Sequence, residues 1–199
     1  KPLDSPEFYP LFEKMVELDR PIFLHPMWEM STPDYETEEY SKYRLWTQLG
    51  WPYVTSLAMA RLVYSGIMER LPRLKIITHH CGGITPFLAG RIDWSYDFNE
   101  MRMGHRDVYL KEKPIDYFRR FYYDTAVNGH TPSLQCGLSF AGIDQMLFAT
   151  DLPFDNQNGH RLIRDTIQSI EEMGLSDADK SKLYRNNLIK LLRLPLCSL

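Results

Sequence analysis

Four short runs rich in β-branched and aromatic residues alternate along this chain with segments of helical spacing. The runs are "RPIFLH" (20–25), "LKIITHH" (74–80), "FYYDTA" (121–126) and "MLFATD" (146–151), and each finishes on or beside a polar residue. Between them, 52–71 reads as a helix with apolar residues at Val54, Leu57, Ala58, Leu62 and Ile67, stopped before Pro72. A shorter helix is expected over 131–142, opened by Thr131 with Pro132 in its first turn. The stretch 160–173 is amphipathic, with Gly174 placed to end it, and a last helix begins at Ser176 with acidic residues in its first turn. Such alternation favours parallel strands joined by right-handed crossovers, an α/β fold whose sheet is covered on both faces. A closed (β/α)8 barrel needs eight such units and about 250 residues, so four units make half of one.

The chain has 199 residues, 44% of them hydrophobic, enough for the core of one domain spanning 1–199. A net charge of −3 and the lack of a clustered basic groove argue against nucleic acid or an anionic membrane surface as a partner. Apolar runs such as "GIDQMLFA" stop well short of the roughly 20 residues that span a bilayer, and "KPLDSPEF" carries no signal-peptide pattern, so a cytoplasmic protein is expected. Cys81, Cys136 and Cys197 are odd in number and far apart, which suggests reduced thiols rather than a disulfide framework or a CxxC metal site. The segment 28–50 is acidic, aromatic and long for a connection after a strand. It is either a lid or wall over a site, or a solvated insertion.

In folds of this kind the functional groups gather at the C-terminal ends of the strands. Here those ends present His25, His79 with His80, and Asp151. A single strand-end histidine is more often an ordinary hydrogen-bonded residue than a ligand. Three such ends in succession suit a divalent metal, which binds imidazole and carboxylate and keeps a position open in catalytic sites.

These residues lie in stretches that resemble the amidohydrolase superfamily, in the branch that contains aminocarboxymuconate semialdehyde, resorcylate and carboxyvanillate decarboxylases. The stretches are "LHP" (24–26), "LPRLKIITHHCGGITPFLAGRID" (71–93), "FYYDTA" (121–126), "FATDLPF" (148–154) and "NNLIKLLRL" (186–194), in that order over most of the chain. The resemblance implies a (β/α)8 barrel of which this chain supplies roughly the last four βα units. It implies that His25 is a metal ligand at the end of the fifth barrel strand, and that Asp151, at the end of the eighth, is a carboxylate ligand that also orients a water. His80, directly before "CGG", matches a histidine that gives or takes a proton near the metal. Alternation along a strand points His79 to the opposite face, so His80 is preferred for the site. Arg91 in "AGRID" matches a position that faces the substrate carboxylate, sometimes across a dimer interface; its alternative is a surface ion pair. Arg44 stands where some relatives have a tryptophan, and either binds a carboxylate or lies on the surface.

The activity implied by the resemblance is that of a non-oxidative decarboxylase of a small carboxylated cyclic or conjugated substrate, dependent on one divalent metal, zinc foremost and manganese second, and working as a homodimer or higher homo-oligomer. The same residues serve hydrolysis, so a metal-dependent hydrolase stays open. Relatives also carry an H-x-H or E-x-H pair on a first strand, and neither pattern occurs in this sequence. The expectation is that the first four units are missing from the chain, which leaves a truncated non-catalytic relative as a further alternative. Among other residues, Cys81 beside His80 suggests a thiol nucleophile but has no evident orienting carboxylate. The "CGG" turn fits backbone clearance better than phosphate binding. His105, His130 and His160 read as solvated, with His130 and Asp124 given some reach toward the mouth of the barrel.

Overall fold

The computed structural model describes residues 1–104 and 110–195, apart from the side chains of residues 99 and 100; His105 and Cys197 fall outside the described residues. Its sheet has four strands in the order β1 (Ile22–Leu24), β2 (Ile76–Thr78), β3 (Tyr122–Asp124) and β4 (Met146–Leu147), every neighbouring pair parallel. The first three runs seen in the sequence contribute only their centres to the ladder, and the fourth only its first two residues. Pro21 and Pro26 bracket β1, and neither has an N–H to donate. The α/β expectation with parallel strands therefore holds, with shorter strands.

One face of the sheet carries the main core. Ile76, Tyr123 and Met146 pack with Met59, Leu62 and Val63 of α2 (Trp51–Tyr64) and with Phe118 of a short helix further along, all within one buried cluster. The three residues of β2 are all buried, as a central parallel strand requires. On the other face, Ile77 and Leu147 are covered by Leu191 near the C-terminus. Phe23 lies in the same row, opposite Ile77 in the register, yet is 69% exposed. Leu191 thus covers this face at β2 and β4 and leaves Phe23 of β1 open.

A helix not anticipated in detail, α1 (Tyr9–Glu17), leads into β1. The expected helix over 52–71 is divided: α2 ends at Tyr64, Gly66 takes φ 75°, and α3 (Ile67–Arg70) follows. Only glycine enters that left-handed turn without a Cβ penalty. After β2 come α4 (Ala89–Met103) and α5 (Pro114–Phe118), which the apolar spacing did not disclose. α6 (Thr131–Ala141) and α7 (His160–Glu171) lie where expected. At α8 (Asp177–Ser181) the Ser176 hydroxyl accepts the Asp179 N–H at 3.1 Å, the predicted cap. The chain then runs through one wide turn, Lys182–Asn186, into α9 (Asn187–Leu192). The buried Asn187 amide donates to the carbonyls of Ile143 at 2.7 Å and Met146 at 2.9 Å, which ties α9 to β4. No helix among the described residues is long and apolar enough to cross a membrane.

Candidate metal centre

All four strands deliver polar side chains to one end of the sheet. His25 follows β1 directly, His79 follows β2 directly, Asp124 is the last residue of β3, and Asp151 lies beyond β4. The path to Asp151 is pinned by Thr125, whose hydroxyl donates to the Ala149 carbonyl at 2.7 Å while accepting the Ala149 N–H at 2.9 Å. Donor atoms of His25, His79 and Asp151 all lie within 4.8 Å of one another.

His79 occupies the centre of this arrangement, which corrects the expectation that it faces away. β2 ends at Thr78, His79 is extended, and His80 turns into the left-handed region at φ 51°. Alternation applies only while the pleat lasts. Both imidazoles therefore lie on one side, with ring centroids 4.0 Å apart. The His79 Nδ1–H donates to Asp124 Oδ2 at 2.6 Å, and Nε2 lies 3.2 Å from Asp151 Oδ1. Asp124 is held in turn, its Oδ1 accepting the N–H groups of Cys81 at 2.9 Å and Ala126 at 3.2 Å. This places a buried carboxylate behind the histidine, fixing its tautomer and presenting Nε2 forward.

His80 also reaches the site: its Nε2 is 3.7 Å from Asp151 Oδ2, and its buried Nδ1 has no hydrogen-bond partner among the described residues. Trp51 stacks over it at 6.1 Å and meets the edge of His25 at 5.5 Å. The segment 28–50 ends as a wall beside these rings. Within it Asp34 accepts from the Ser41 hydroxyl at 2.7 Å, Ser41 accepts the Trp46 N–H at 3.1 Å, and Trp46 packs on Trp51.

The charges divide cleanly. Burial pushes the His79 pKa down, but the hydrogen bonds and charges of Asp124 and Asp151 outweigh it and hold the pKa up at about 9. Burial pushes Asp151 up, and the hydrogen bonds and charges of His79 and His80 overcome it, leaving the carboxyl well below its usual range. Burial and the neighbouring His79 charge lower His25, favouring the neutral imidazole that a metal requires. Burial drives the Cys81 thiol far up, so it is no ready nucleophile.

The two arginines are not gathered here. Arg44 is exposed in the wall segment at φ 60°, and Arg91 is exposed in the first turn of α4. Neither makes an ion pair with a described residue, and neither lines the cleft of about 490 Å³ that opens against His80. His79, set aside in favour of His80, and Asp124, expected only to have some reach toward the mouth of the barrel, stand at the ends of β2 and β3 in adjacent units. The "CGG" turn does provide clearance. A Cβ at Gly82 would meet the Tyr123 ring at 2.4 Å, and one at Gly83 the Pro52 carbonyl at 2.2 Å.

Two imidazoles and a carboxylate converging from three strands, with a second carboxylate behind one imidazole, form a donor set that fits a divalent metal with positions left open. Residues 1–194 match the amidohydrolase family. A 2-amino-3-carboxymuconate-6-semialdehyde decarboxylase of Dictyostelium discoideum is 32% identical over 194 residues, 98% of this chain and 50% of that protein. A solved 2,6-dihydroxybenzoate decarboxylase from Rhizobium superposes with a TM-score of 0.79 at 26% identity, over 96% of this chain and 57% of that one. A dihydroxybenzoic acid decarboxylase from Polaromonas sp., solved with manganese and the inhibitor 2-nitroresorcinol, gives a TM-score of 0.76 at 28% identity, over 96% and 55%. This chain spans about half the length of the curated relatives it matches.

Proposed function

Because the chain belongs to the amidohydrolase family, we propose that it is a metal-dependent non-oxidative decarboxylase of a small carboxylated cyclic or conjugated substrate. The observation that carries the reading is the convergence of His25, His79 and Asp151 donors within 4.8 Å at the C-terminal ends of parallel strands. The decarboxylases among its relatives support the reaction class, and the manganese in the Polaromonas enzyme supports a divalent ion. Zinc suits the same two-imidazole, one-carboxylate set. In this reading residues 1–199 form one domain, β1 to β4 take the places of the fifth to eighth strands of a (β/α)8 barrel, and the protein is cytoplasmic.

When bound, the ion supplies a Lewis acid that polarises a substrate oxygen. The chain's own residues do the rest. Asp124 holds the Nδ1 proton of His79, so Nε2 is the atom turned toward Asp151, and binding of an ion there would displace its proton. His25, low in pKa, presents a neutral ring. His80 is placed to deliver a proton: as the C–C bond breaks and carbon dioxide leaves, the electron pair stays on the former carboxyl-bearing carbon and takes that proton. Trp51, stacked on His80, limits water on that side. Arg91, exposed on α4, would reach a substrate carboxylate across an interface between copies. The neighbouring Trp94 and Met101, 57% and 76% exposed, give that helix an apolar surface suited to a homodimer. Arg44, at the mouth of the wall segment, is the second candidate for that carboxylate.

Elemental analysis of protein purified without added metal, with carbon dioxide release from aromatic and conjugated carboxylates, tests the reading. About one ion per chain is expected, lost in His25→Ala and in Asp151→Ala. Unchanged metal content in both variants would sink the site assignment. Water-dependent cleavage without carbon dioxide would replace the decarboxylase by a hydrolase, and neither metal nor turnover would leave a non-catalytic relative.

A further inference from the structure

The cleft of about 490 Å³ beside His80 is of the size that small-molecule sites have, and it adjoins the metal centre at His80. It runs from His80 between the wall segment, with Thr47 and Gln48, and the start of α6, with His130. Among the described residues no Asp, Glu, Lys or Arg lines it; Pro52, Pro86, Phe87 and Val127 give it apolar sides. That is the composition of a small-molecule site: apolar walls and a few hydrogen-bonding groups that fix orientation.

Those groups are uncommitted at the atoms that matter. Gln48 uses its Nε2 on the Tyr43 carbonyl at 3.1 Å, which leaves Oε1 as an acceptor. His130 engages the Ser133 hydroxyl through Nδ1 at 2.8 Å, and its Nε2 makes no hydrogen bond among the described residues. Asn128, at φ 55°, also lines the cleft, and its side-chain amide makes no hydrogen bond among the described residues. All three residues are exposed, and none is needed to hold the core.

We infer that this cleft is the specificity subsite of the proposed decarboxylase, taking the far end of an extended, flat carboxylic acid and reading a neutral hydrogen-bonding substituent there through Gln48, Asn128 and His130. The inference rests on the proposed function for the placement of the reacting carboxylate at the metal centre. The uncharged lining selects against a second carboxylate at the far end, since no arginine or lysine among the described residues lines the cleft to receive it. An acid with a hydroxyl or carbonyl at that end meets the hydrogen-bonding atoms that Gln48 and His130 leave free.

The test is calorimetric titration of the metal-loaded chain with three probes of one shape: cinnamate, 4-hydroxycinnamate and 4-carboxycinnamate. The expected order is 4-hydroxycinnamate tightest, with 4-carboxycinnamate at least tenfold weaker. Gln48→Leu and His130→Ala should each weaken 4-hydroxycinnamate about five- to tenfold and leave cinnamate within twofold. Equal losses for cinnamate and 4-hydroxycinnamate, no loss for either, or tighter binding of 4-carboxycinnamate would each overturn the inference, as would the absence of saturable binding of any probe to the parent chain. Metal content and carbon dioxide release, measured on the same samples, separate the two readings. A chain that discriminates among the probes but releases no carbon dioxide keeps the subsite and loses the decarboxylase.

Discussion

Asp124 is the residue on which the geometry of the site turns. It is 4% exposed, and its two oxygens accept from His79, Cys81 and Ala126. Removing one partner of a buried charged pair costs far more than the pair contributes, because the other is left unsatisfied in a low-dielectric setting. Asp124→Ala should therefore lower stability by roughly 3 kcal/mol, read from urea midpoints, and lower metal retention as well, since His79 loses its orienting carboxylate. His25 is different: it is exposed, and its ring meets Trp51 and His79 through ring contacts, with no side-chain ion pair among the described residues. His25→Ala should leave the urea midpoint within about 0.5 kcal/mol of the parent, the range usual for surface positions. A large stability loss in His25→Ala would mean that the ring packs rather than ligates.

Among the elements, the turn after β2 does the most to shape the site. It carries His80, Cys81, Gly82 and Gly83 in succession at positive φ. The turn is stitched to α2 through Ser56, whose hydroxyl donates to the Gly82 carbonyl at 3.2 Å and accepts the Ile84 N–H at 2.9 Å. Gly83 has no room for a side chain: its Cβ would stand 2.2 Å from the Pro52 carbonyl, a backbone atom that cannot swing away. Gly83→Ala should cost at least about 2 kcal/mol, combining left-handed strain with displacement of α2. Gly90 in α4 is the control, because a Cβ there meets nothing within 4 Å. Gly90→Ala should be stabilising by roughly 0.5–1 kcal/mol, so thermal denaturation should move the two variants in opposite directions.

For the whole molecule, the decisive feature is a parallel sheet whose order among the described residues ends at β1 and β4. Phe23, 69% exposed, and Met27, 78% exposed, put apolar surface along the β1 side. An open strand edge beside such surface invites pairing with another chain. Phe23→Asp should reduce concentration-dependent association in sedimentation velocity with metal content unchanged. Association that is indifferent to this change would locate the contact elsewhere, with the apolar face of α4 the next surface to alter.

Local chemistry made much of this legible in the sequence. Parallel α/β organisation followed from alternating apolar periods, the cap at Ser176 from its hydroxyl and acidic first turn, and the place of His25 directly after β1 from where its apolar run stops. These depend on neighbours within a few residues, and such neighbours are written in order along the chain. What depended on contacts between distant segments was not readable. The break at Gly66 interrupts an unbroken apolar period, and α4 and α5 have too weak a stripe to stand out. His79 was assigned to the wrong face because strand alternation was carried past Thr78, where the backbone turns at His80. Only the tertiary structure decided that two adjacent histidines share one side, that Asp124 stands behind the first of them, and that the wall segment and α6 enclose a cleft against the second. A side chain's direction beyond the end of a strand is set by the turn that follows, and that turn is held by atoms of α2 and β3, more than twenty residues away in the sequence.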